Sequence, residues 1–331
     1  MTQYDVLAIG NAIVDIIAPC EDDFLVVNGI VKGAMNLIDA PRAKLLYSRM
    51  GEAVEASGGS AGNTAAGVAS FGGRAAFFGK VADDALGKLY RADIRRQGVA
   101  FDTRPLAAPP PTATSTIFVT PDGERSMNTY LGACVELGPE DVEEDKARGA
   151  AVTYFEGYLW DPPRAKEAIR LTAAHAHEAA REVAMTLSDP FCVDRYREEF
   201  LELMRSGTVD IVFANEAELK SLYLTESFED GLECIRRDCR LAAVTRSEKG
   251  SVILRGAETV PIQALAVEKV VDTTGAGDLY AAGFLFGYTQ GRSLADCGKL
   301  GSLAAGLVIG QIGPRPKEDL REEARKRGLL E

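Results

Sequence analysis

The sequence contains little histidine and little positive charge, and each shortage argues against a class of protein. The two histidines among 331 residues, His175 and His177, are two apart in an alanine-rich helical stretch, so they point to different faces. A structural zinc site and a Ser-His-Asp triad are therefore poorly supported. Lys and Arg number 37 against 49 Asp and Glu, which gives a net charge of -12. This balance argues against a nucleic-acid or anionic-membrane partner, but not against ATP, which needs only a local positive site.

Long apolar runs and closely paired cysteines are also missing. No window approaches the roughly 20 apolar residues of a membrane span, and residues 1–18 have no basic region ahead of an apolar run, as a signal peptide would. The six cysteines are scattered along the chain: Cys20, Cys134, Cys192, Cys234, Cys239 and Cys297. This spacing predicts reduced thiols in a cytoplasmic protein. Because no linker or repeat interrupts the sequence, we expect residues 1–331 to form a single domain.

Strand and helix patterns alternate from residue 151 onward. The predicted strands are residues 151–155, 183–187, 211–214 and 242–245, preceded by strands at 4–10 and 75–79. The predicted helices are residues 163–182, 195–206, 216–223 and 228–238. This order predicts an α/β fold with a mostly parallel sheet that has helices on both faces.

Two segments depart from that alternation and predict a small lid sheet. Residues 16–57 are mixed, with a strand-like piece at 24–31 and a helix-like piece at 40–50. Residues 112–131 alternate like antiparallel strands around a Thr-Pro-Asp-Gly turn. We expect a lid built from about 16–55 and 105–135. Arg125 lies there, either as the cation that reaches a phosphate or as a plain charge on an edge strand.

Residues 267–288 carry the clearest chemical signal. Valines within residues 267–271 predict the end of a strand, and a helical pattern begins at Asp278. Between them, Gly275 and Gly277 allow a tight turn that brings backbone N–H groups close to a bound group. The start of a helix adds unpaired N–H donors and a positive dipole end. The sequence therefore predicts an anion-binding site at this turn.

Asp278 lies at this positive turn, where a carboxylate would repel an anion. Its position makes chemical sense if it removes a proton from an attacking hydroxyl while the N–H groups of Gly275, Ala276 and Gly277 stabilise the charge moving on a phosphoryl group. The alternative is that Asp272 or Asp278 only caps the helix.

Two polar side chains follow the first predicted strand. Asn11 and Asp15 lie at the mouth of that strand, where ligands bind in open α/β sheets. A carboxylate accepts hydrogen bonds and an amide donates and accepts them, so the pair suits two neighbouring hydroxyls. A helix cap or a turn is the alternative.

A glycine-rich segment, residues 58–63, opens a helix of small residues. A dinucleotide-binding fingerprint requires a hydrophobic strand before such glycines, and residues 50–57 are largely polar and small. An NAD-dependent oxidoreductase is therefore the less favoured alternative.

Both glycine-rich segments match signatures of one family. Residues 272–278, Asp-Thr-Thr-Gly-Ala-Gly-Asp, resemble the second signature of the ribokinase-like (phosphofructokinase B) carbohydrate and nucleoside kinases, and residues 58–73 resemble the first. The resemblance covers essentially the whole chain. It implies a three-layer sandwich with a mostly parallel central sheet, helices on both faces and a small β lid. It also implies an ATP-dependent phosphotransferase that uses Mg²⁺ and, as in some relatives, K⁺.

Within that family the chain most resembles adenosine kinases, through residues 10–15, 187–191 and 209–218. This resemblance implies adenosine as the acceptor, with ribose or fructose as the alternative. The chain departs from the adenosine kinases at two places. It has Gly157-Tyr158-Leu159-Trp160 where they have consecutive phenylalanines, and Ser247 where a glycine is usual. The expected partners are small molecules only, and the expected assembly is a monomer or a homodimer.

The family resemblance assigns roles to individual residues. Catalysis would involve Asp278, Gly275, Ala276, Gly277 and Arg125. Acceptor binding would involve Asn11, Asp15, Gly58, Gly59, Asn63 and Tyr158. Nucleotide binding would involve Asn215, Thr245, Arg246, Gly250, Gly275, Gly277 and Ser302. Asn215 and Glu218 would organise Mg²⁺, and Asp272 and Thr274 would belong to a monovalent-cation site.

Overall fold

The computed structural model describes residues 2–315 and 317–331, which form strands β1 to β14 and helices α1 to α12. The strands are β1 (Tyr4–Ile9), β2 (Ile13–Pro19), β3 (Met35–Leu37), β4 (Val54–Ser57), β5 (Ala75–Phe78), β6 (Val99–Ala100), β7 (Ala113–Val119), β8 (Arg125–Tyr130), β9 (Ala150–Glu156), β10 (Glu182–Thr186), β11 (Ile211–Asn215), β12 (Leu241–Thr245), β13 (Ser251–Arg255) and β14 (Glu258–Ile262). The helices are α1 (Asp22–Val27), α2 (Ala40–Arg49), α3 (Ser60–Ser70), α4 (Ala85–Arg96), α5 (Glu144–Gly149), α6 (Pro163–Glu178), α7 (Pro190–Arg205), α8 (Glu216–Tyr223), α9 (Phe228–Asp238), α10 (Ala276–Thr289), α11 (Leu294–Ile309) and α12 (Leu320–Lys326).

Nine strands form the central sheet, in the order β14-β13-β12-β11-β10-β9-β1-β5-β6. The strands from β12 to β6 pair in parallel, and only β13 and β14 add an antiparallel hairpin at one edge. The predicted mostly parallel sheet is confirmed. The edge hairpin was not predicted, and α7 begins at Pro190 rather than at residue 195.

Successive strand residues pack into different cores on the two faces of this sheet. On β1, Val6 and Ala8 belong to a core with α3, α4, α10, α11 and α12, whereas Leu7 and Ile9 belong to a core with α5 to α9. Side chains alternate across a strand, so a strand buried on both faces is apolar at every position. The molecule therefore has three layers, as predicted.

A separate five-stranded sheet, which we call the small sheet, has the order β3-β8-β7-β2-β4 and spans residues 13–57 and 113–130. Its β7–β8 pair is the antiparallel hairpin predicted for residues 112–131. Leu46 and Phe118 pack with α1 on its outer face, and Ile13 and Ile117 face a cleft on its inner face. Whether this sheet moves as a lid stays a prediction.

Two predicted strands are wrong. Residues 24–31 begin within α1, where Leu25 is buried but the adjacent Val26 and Val27 are 78% and 80% exposed, so no alternating face forms. Residues 267–271 form a loop, in which Val270 is 53% exposed and the Val271 N–H donates to the carbonyl of Ile309. The β13–β14 hairpin occupies the sheet edge instead.

Two further expectations need correction. A strand, β4, does precede the first glycine-rich segment, but it pairs antiparallel with β2 in the small sheet. A dinucleotide fingerprint requires a central strand, so its context is still lacking. Arg125 begins β8, which lies between β3 and β7 rather than at an edge of the small sheet. Across residues 2–315 and 317–331, none of the helices has the length and apolar character needed to cross a membrane.

Candidate active site

A cleft of about 1290 Å³ lies between the carboxyl ends of the central strands and the inner face of the small sheet. It brings together most of the predicted site residues: Asn11, Asp15, Gly59, Asn63, Tyr158, Asn215, Glu218, Thr245, Gly250, Thr274, Gly275, Ala276, Gly277, Asp278 and Ser302. Four others do not line the cleft: Gly58, Arg125, Arg246 and Asp272. Ligands of open α/β sheets bind at this edge, and the predicted residues converge there.

Asp15 and Asn11 present hydrogen-bond acceptors to one end of the cleft. Asp15 lies on β2 and is only 9% exposed, yet its carboxylate accepts no hydrogen bond from the described residues. A Cβ atom on Gly58 would lie 2.3 Å from Asp15 Oδ2, so a glycine is required beside it. Burial is the largest cause that raises the pKa of Asp15, to about 7. Asn11 Oδ1 is buried and also has no partner among the described atoms.

Glu156, which the sequence analysis missed, orients Asn11. It ends β9 and is 1% exposed. Its carboxylate accepts the Asn11 N–H at 2.9 Å, Asn11 Nδ2 at 2.7 Å and the Ala61 N–H at 2.7 Å. Because an amide donates through nitrogen and accepts through oxygen, this arrangement leaves Asn11 Oδ1 for another donor. The sequence feature that could have identified Glu156 is a carboxylate at the end of an otherwise apolar strand. Burial raises the pKa of Glu156 to about 7.

Asp278 is held by α3 through both of its carboxylate oxygens. Oδ1 accepts the Ser60 hydroxyl at 2.6 Å, and Oδ2 accepts Asn63 Nδ2 at 2.9 Å. The Thr64 hydroxyl donates to the Asp278 main-chain carbonyl at 3.1 Å. Burial raises the pKa of Asp278, and the two side-chain hydrogen bonds oppose that rise. A carboxylate oxygen can accept more than one hydrogen bond, so both oxygens keep capacity for a hydroxyl in the cleft.

The start of α10 presents N–H groups beside this carboxylate. Gly275 has φ of +79°, and a Cβ atom there would lie 2.7 Å from the Pro314 Cβ atom and carbonyl oxygen. The N–H groups of Gly275, Gly277 and Asp278 have no acceptor within residues 2–315 and 317–331. Gly277 borders open space. This turn therefore has the free donors and the room that an anion requires.

Arg125 is paired with Asp272 in this structure. The two form an ion pair of 2.7 Å between Nη2 and Oδ2, and both side chains are buried. Asp272 also accepts the N–H groups of Thr274 at 3.0 Å and Gly313 at 2.9 Å. The pair links the small sheet to the loop before α10.

The far end of the cleft is shaped by Gly250 and Ser302. Gly250 has φ of +82°, and a Cβ atom there would lie 1.9 Å from the Ile262 carbonyl oxygen, so only glycine fits. The Ser302 hydroxyl accepts the Leu265 N–H at 2.9 Å and fixes the loop after β14. Thr245 also lines this end.

Arg246, predicted to contact the nucleotide, is held outside the cleft. Its Nε donates to Glu216 Oε2 at 2.9 Å, and its guanidinium carbon lies 3.7 Å from the centroid of the Phe228 ring. These contacts fix the end of β12 against α8 and α9.

Asn215 and Glu218 form a reciprocal cap at the start of α8. Asn215 Oδ1 accepts the Glu218 N–H at 2.8 Å, while the Glu218 carboxylate accepts the Asn215 N–H at 2.9 Å and Asn215 Nδ2 at 2.6 Å. This is the helix-start pairing considered as an alternative to metal binding. Both residues also line the cleft, and burial raises the pKa of Glu218 to about 7.

Tyr158 and an apolar wall also line the cleft. The Tyr158 hydroxyl donates to the Ser188 carbonyl at 3.4 Å. The wall is contributed by the small sheet and the residue that follows it: Met35, Leu37, Ile117, Met127 and Leu131. Met35 and Leu37 are 42% and 56% exposed, so they offer apolar surface that a ligand would cover.

Comparison with known proteins gives consistent matches over nearly the whole chain. Residues 6–320 match the model of the pfkB family carbohydrate kinases. An adenosine kinase from Sinorhizobium meliloti is 73% identical, with 98% of this chain and 99% of that one covered and a TM-score of 0.93. A probable sugar kinase from Rhizobium etli is 68% identical over the full length of both chains, with a TM-score of 0.95. The adenosine kinase of Saccharomyces cerevisiae is 26% identical over 93% of this chain and 95% of its own length.

Proposed function

Because the chain belongs to the pfkB family of carbohydrate kinases, we propose that it transfers the γ-phosphoryl group of ATP to the 5'-hydroxyl of adenosine. The family makes it a phosphotransferase with a hydroxyl acceptor. The similarity to adenosine kinases favours a nucleoside as that acceptor. A free sugar such as ribose or fructose is the second candidate, since a probable sugar kinase is nearly as similar.

One observation favours the nucleoside over the sugar: acceptors for a diol and an apolar wall line the same cleft. Asp15 and the unpaired Asn11 Oδ1 suit the two ribose hydroxyls. A small polar sugar has no apolar group that could pack against the exposed side chains of Met35 and Leu37, whereas a nucleobase would cover them. Covering roughly 100 Å² of apolar surface contributes about 2.5 kcal/mol.

In the proposed reaction, Asp278 accepts the proton of the attacking hydroxyl. Ser60 and Asn63 hold its carboxylate through one hydrogen bond to each oxygen. A raised pKa brings this base closer to the operating pH, where general bases work best. The free N–H groups of Gly275 and Gly277 stabilise the negative charge on the transferred group. Loss of one such donor typically costs about 3 to 4 kcal/mol of barrier.

The nucleotide would extend from the α10 turn toward Thr245, Gly250 and Ser302. Arg246 contributes indirectly, by holding the end of β12. Arg125 would leave Asp272 to reach a phosphate, since its guanidinium is paired in the present arrangement.

Asn215 and Glu218 would hold Mg²⁺ through water, because their oxygens already take part in the reciprocal cap. When bound, Mg²⁺ neutralises charge on the phosphate oxygens. A K⁺ site at Asp272 and Thr274 is also part of the proposal, although the Asp272 carboxylate already accepts two N–H groups and pairs with Arg125. A cytoplasmic location and a monomeric or homodimeric state are proposed from the sequence.

A panel of acceptors with ATP and Mg²⁺ tests this proposal. We expect adenosine to exceed ribose and fructose by about 10² in kcat/KM, from burial of the base against the apolar wall. The control is 5'-deoxyadenosine, which should compete with adenosine without being phosphorylated. Phosphorylation of ribose or fructose with none of adenosine would overturn the nucleoside assignment.

A further inference from the structure

A largely buried guanidinium, that of Arg315, lies behind the end of the cleft that holds Asn11 and Asp15, which we call the acceptor end. The side chain is 12% exposed and follows α11 in the chain. It passes over Gly62, where a Cβ atom would lie 3.4 Å from Arg315 Nη2. No local sequence pattern indicates this residue, because its partners lie far away in the chain.

The guanidinium has two groups of partners. On one side, Nε donates to Asn63 Oδ1 at 3.0 Å, and Nη2 lies 3.5 Å from the Gly58 carbonyl. On the other side, Nη1 donates to the Ser57 hydroxyl, which donates in turn to Asp93 Oδ2 at 2.5 Å, and Nη1 itself pairs with Asp93 Oδ2 at 3.8 Å. The first group leads toward Asp278, and the second leads away from the cleft.

The chemistry of the two partners fixes the orientation of the Asn63 amide. Arginine donates hydrogen bonds and accepts none, so the amide must turn its oxygen toward Arg315. The amide nitrogen then faces Asp278 and donates to Oδ2 at 2.9 Å. The reverse orientation would place two donors against each other and a carbonyl oxygen against a carboxylate.

We propose that Arg315 is a positioning residue for phosphoryl transfer, which acts through Asn63 to hold the Asp278 carboxylate in its working orientation. The inference rests on the proposed role of Asp278 as the general base. An orientation error of this kind is costly, because transfer depends on accurate placement of the base and the acceptor hydroxyl.

The positive charge of Arg315 has a second measurable effect, on the pKa of Asp278. The Arg315 guanidinium favours the ionised form of Asp278 and so opposes the effect of burial on its pKa. The carboxylates of Asp15, Glu156 and Glu218 also interact with the Asp278 charge. Removal of the guanidinium therefore raises the pKa of Asp278, and the acidic limb of the pH–rate profile moves to higher pH.

The test is a double-mutant cycle on the full-length protein, with ATP, Mg²⁺ and adenosine. For Arg315→Met we expect kcat to fall by about 10- to 100-fold, with a smaller rise in KM, and the acidic limb to move up by about half a pH unit or more. In an Asn63→Ala background the same change should reduce kcat by less than about threefold, because the residue through which it acts is absent. Losses that multiply would overturn the inference.

Asp93→Asn is the control for the other group of partners. It removes the charge that accepts from Ser57 and pairs with Arg315 Nη1 but leaves Asn63 unchanged, so we expect a lower Tm but an unchanged kcat and acidic limb. Losses equal to those of Arg315→Met would show that Arg315 acts through general stability, contrary to the inference. If Arg315→Met does not fold, Arg315→Gln enters the cycle in its place, since it also removes the charge.

Arg315→Lys retains a donor and a charge, so it should lose less kcat than Arg315→Met. An equal loss contradicts the inference. Asp278→Asn separates this inference from the role of Asp278, and the acceptor panel separates it from the proposed function. If Asp278→Asn keeps full turnover, the general-base role of Asp278 fails and the inference fails with it; if the variant is inactive while the Arg315 and Asn63 losses multiply, only the role of Arg315 fails.

Discussion

The two ends of the cleft differ in which groups would contact a ligand: side chains at one end and main-chain groups at the other. At the acceptor end, side chains supply the chemistry: Asp15, Asn11 and Asp278 present oxygens that accept hydrogen bonds. At the phosphate end, the main chain supplies it, through free N–H groups at the α10 turn and a glycine that alone fits at position 250. Replacing one side-chain atom should therefore abolish the function of the acceptor end. The phosphate end should lose its function only when the backbone changes conformation.

The largest expected effect tests the acceptor end at Asp278. Asp278→Asn preserves the shape but cannot take a proton, so we expect kcat to fall by about 10² to 10⁴ while the Kd for adenosine changes little. Single-turnover kinetics and equilibrium binding measure the two quantities. Asp194→Asn, at an exposed carboxylate outside the cleft, is the matched control. Full turnover in Asp278→Asn would remove this residue from its role.

The phosphate end is tested by its backbone. Gly275→Ala places a methyl group 2.7 Å from Pro314 in a backbone conformation that disfavours alanine, so the turn must shift. We expect kcat/KM for ATP to fall by about 10², comparable to the loss of one oxyanion donor. Gly291→Ala is the control, since Gly291 also has positive φ but nothing within 4 Å. It should cost about 1 kcal/mol of stability and leave kinetics unchanged. Similar kinetics in both variants would mean that the turn does not bind phosphate.

The sequence predicted the main-chain turns of the cleft better than the side-chain contacts between distant residues. The α10 turn and the glycines near residue 58 were predictable, because their conformational and hydrogen-bonding demands are local. Glu156 and Arg315 were not, since they contact Asn11 and Asn63 across 145 and 252 residues of chain, respectively. The strand predicted at 267–271 failed because β-branched residues also suit an extended loop, and only the folded chain shows that the Val271 N–H donates to Ile309 rather than to a neighbouring strand. Contacts with Glu216 and Phe228 hold Arg246 outside the cleft, and no local sequence pattern indicates these contacts.

A smaller effect is expected from Asp15, in acceptor binding. Asp15→Asn removes a charged hydrogen-bond acceptor, which is worth about 1.5 to 3 kcal/mol, so KM for adenosine should rise by about 10- to 100-fold. 2',3'-Dideoxyadenosine lacks the proposed partners, so its KM should change much less. An equal increase for both acceptors would show that Asp15 does not bind the ribose hydroxyls.

The smallest expected effect concerns the stability of the ligand-free protein. An unfolded Asp ionises near pH 4, whereas burial raises the pKa of Asp15 to about 7 in the folded chain. Between these values the folded chain holds a proton that the unfolded chain has lost. Stability contributed by Asp15 is therefore present at low pH, falls as the pH rises through this window and levels off above it.

Asp15→Asn lacks this proton and should not show that loss. We expect its Tm, relative to the parent protein, to increase from pH 5 to pH 8, by an amount equivalent to about 1 kcal/mol after allowance for water in the cleft, which weakens the effect of burial. Asp83→Asn, at a carboxylate that is 59% exposed, should show no such trend. A difference in Tm that stays constant from pH 5 to pH 8 would mean that Asp15 is ionised throughout. The acceptor end would then carry a full negative charge before its ligand binds, opposite in sign to the helix dipole end at the α10 turn.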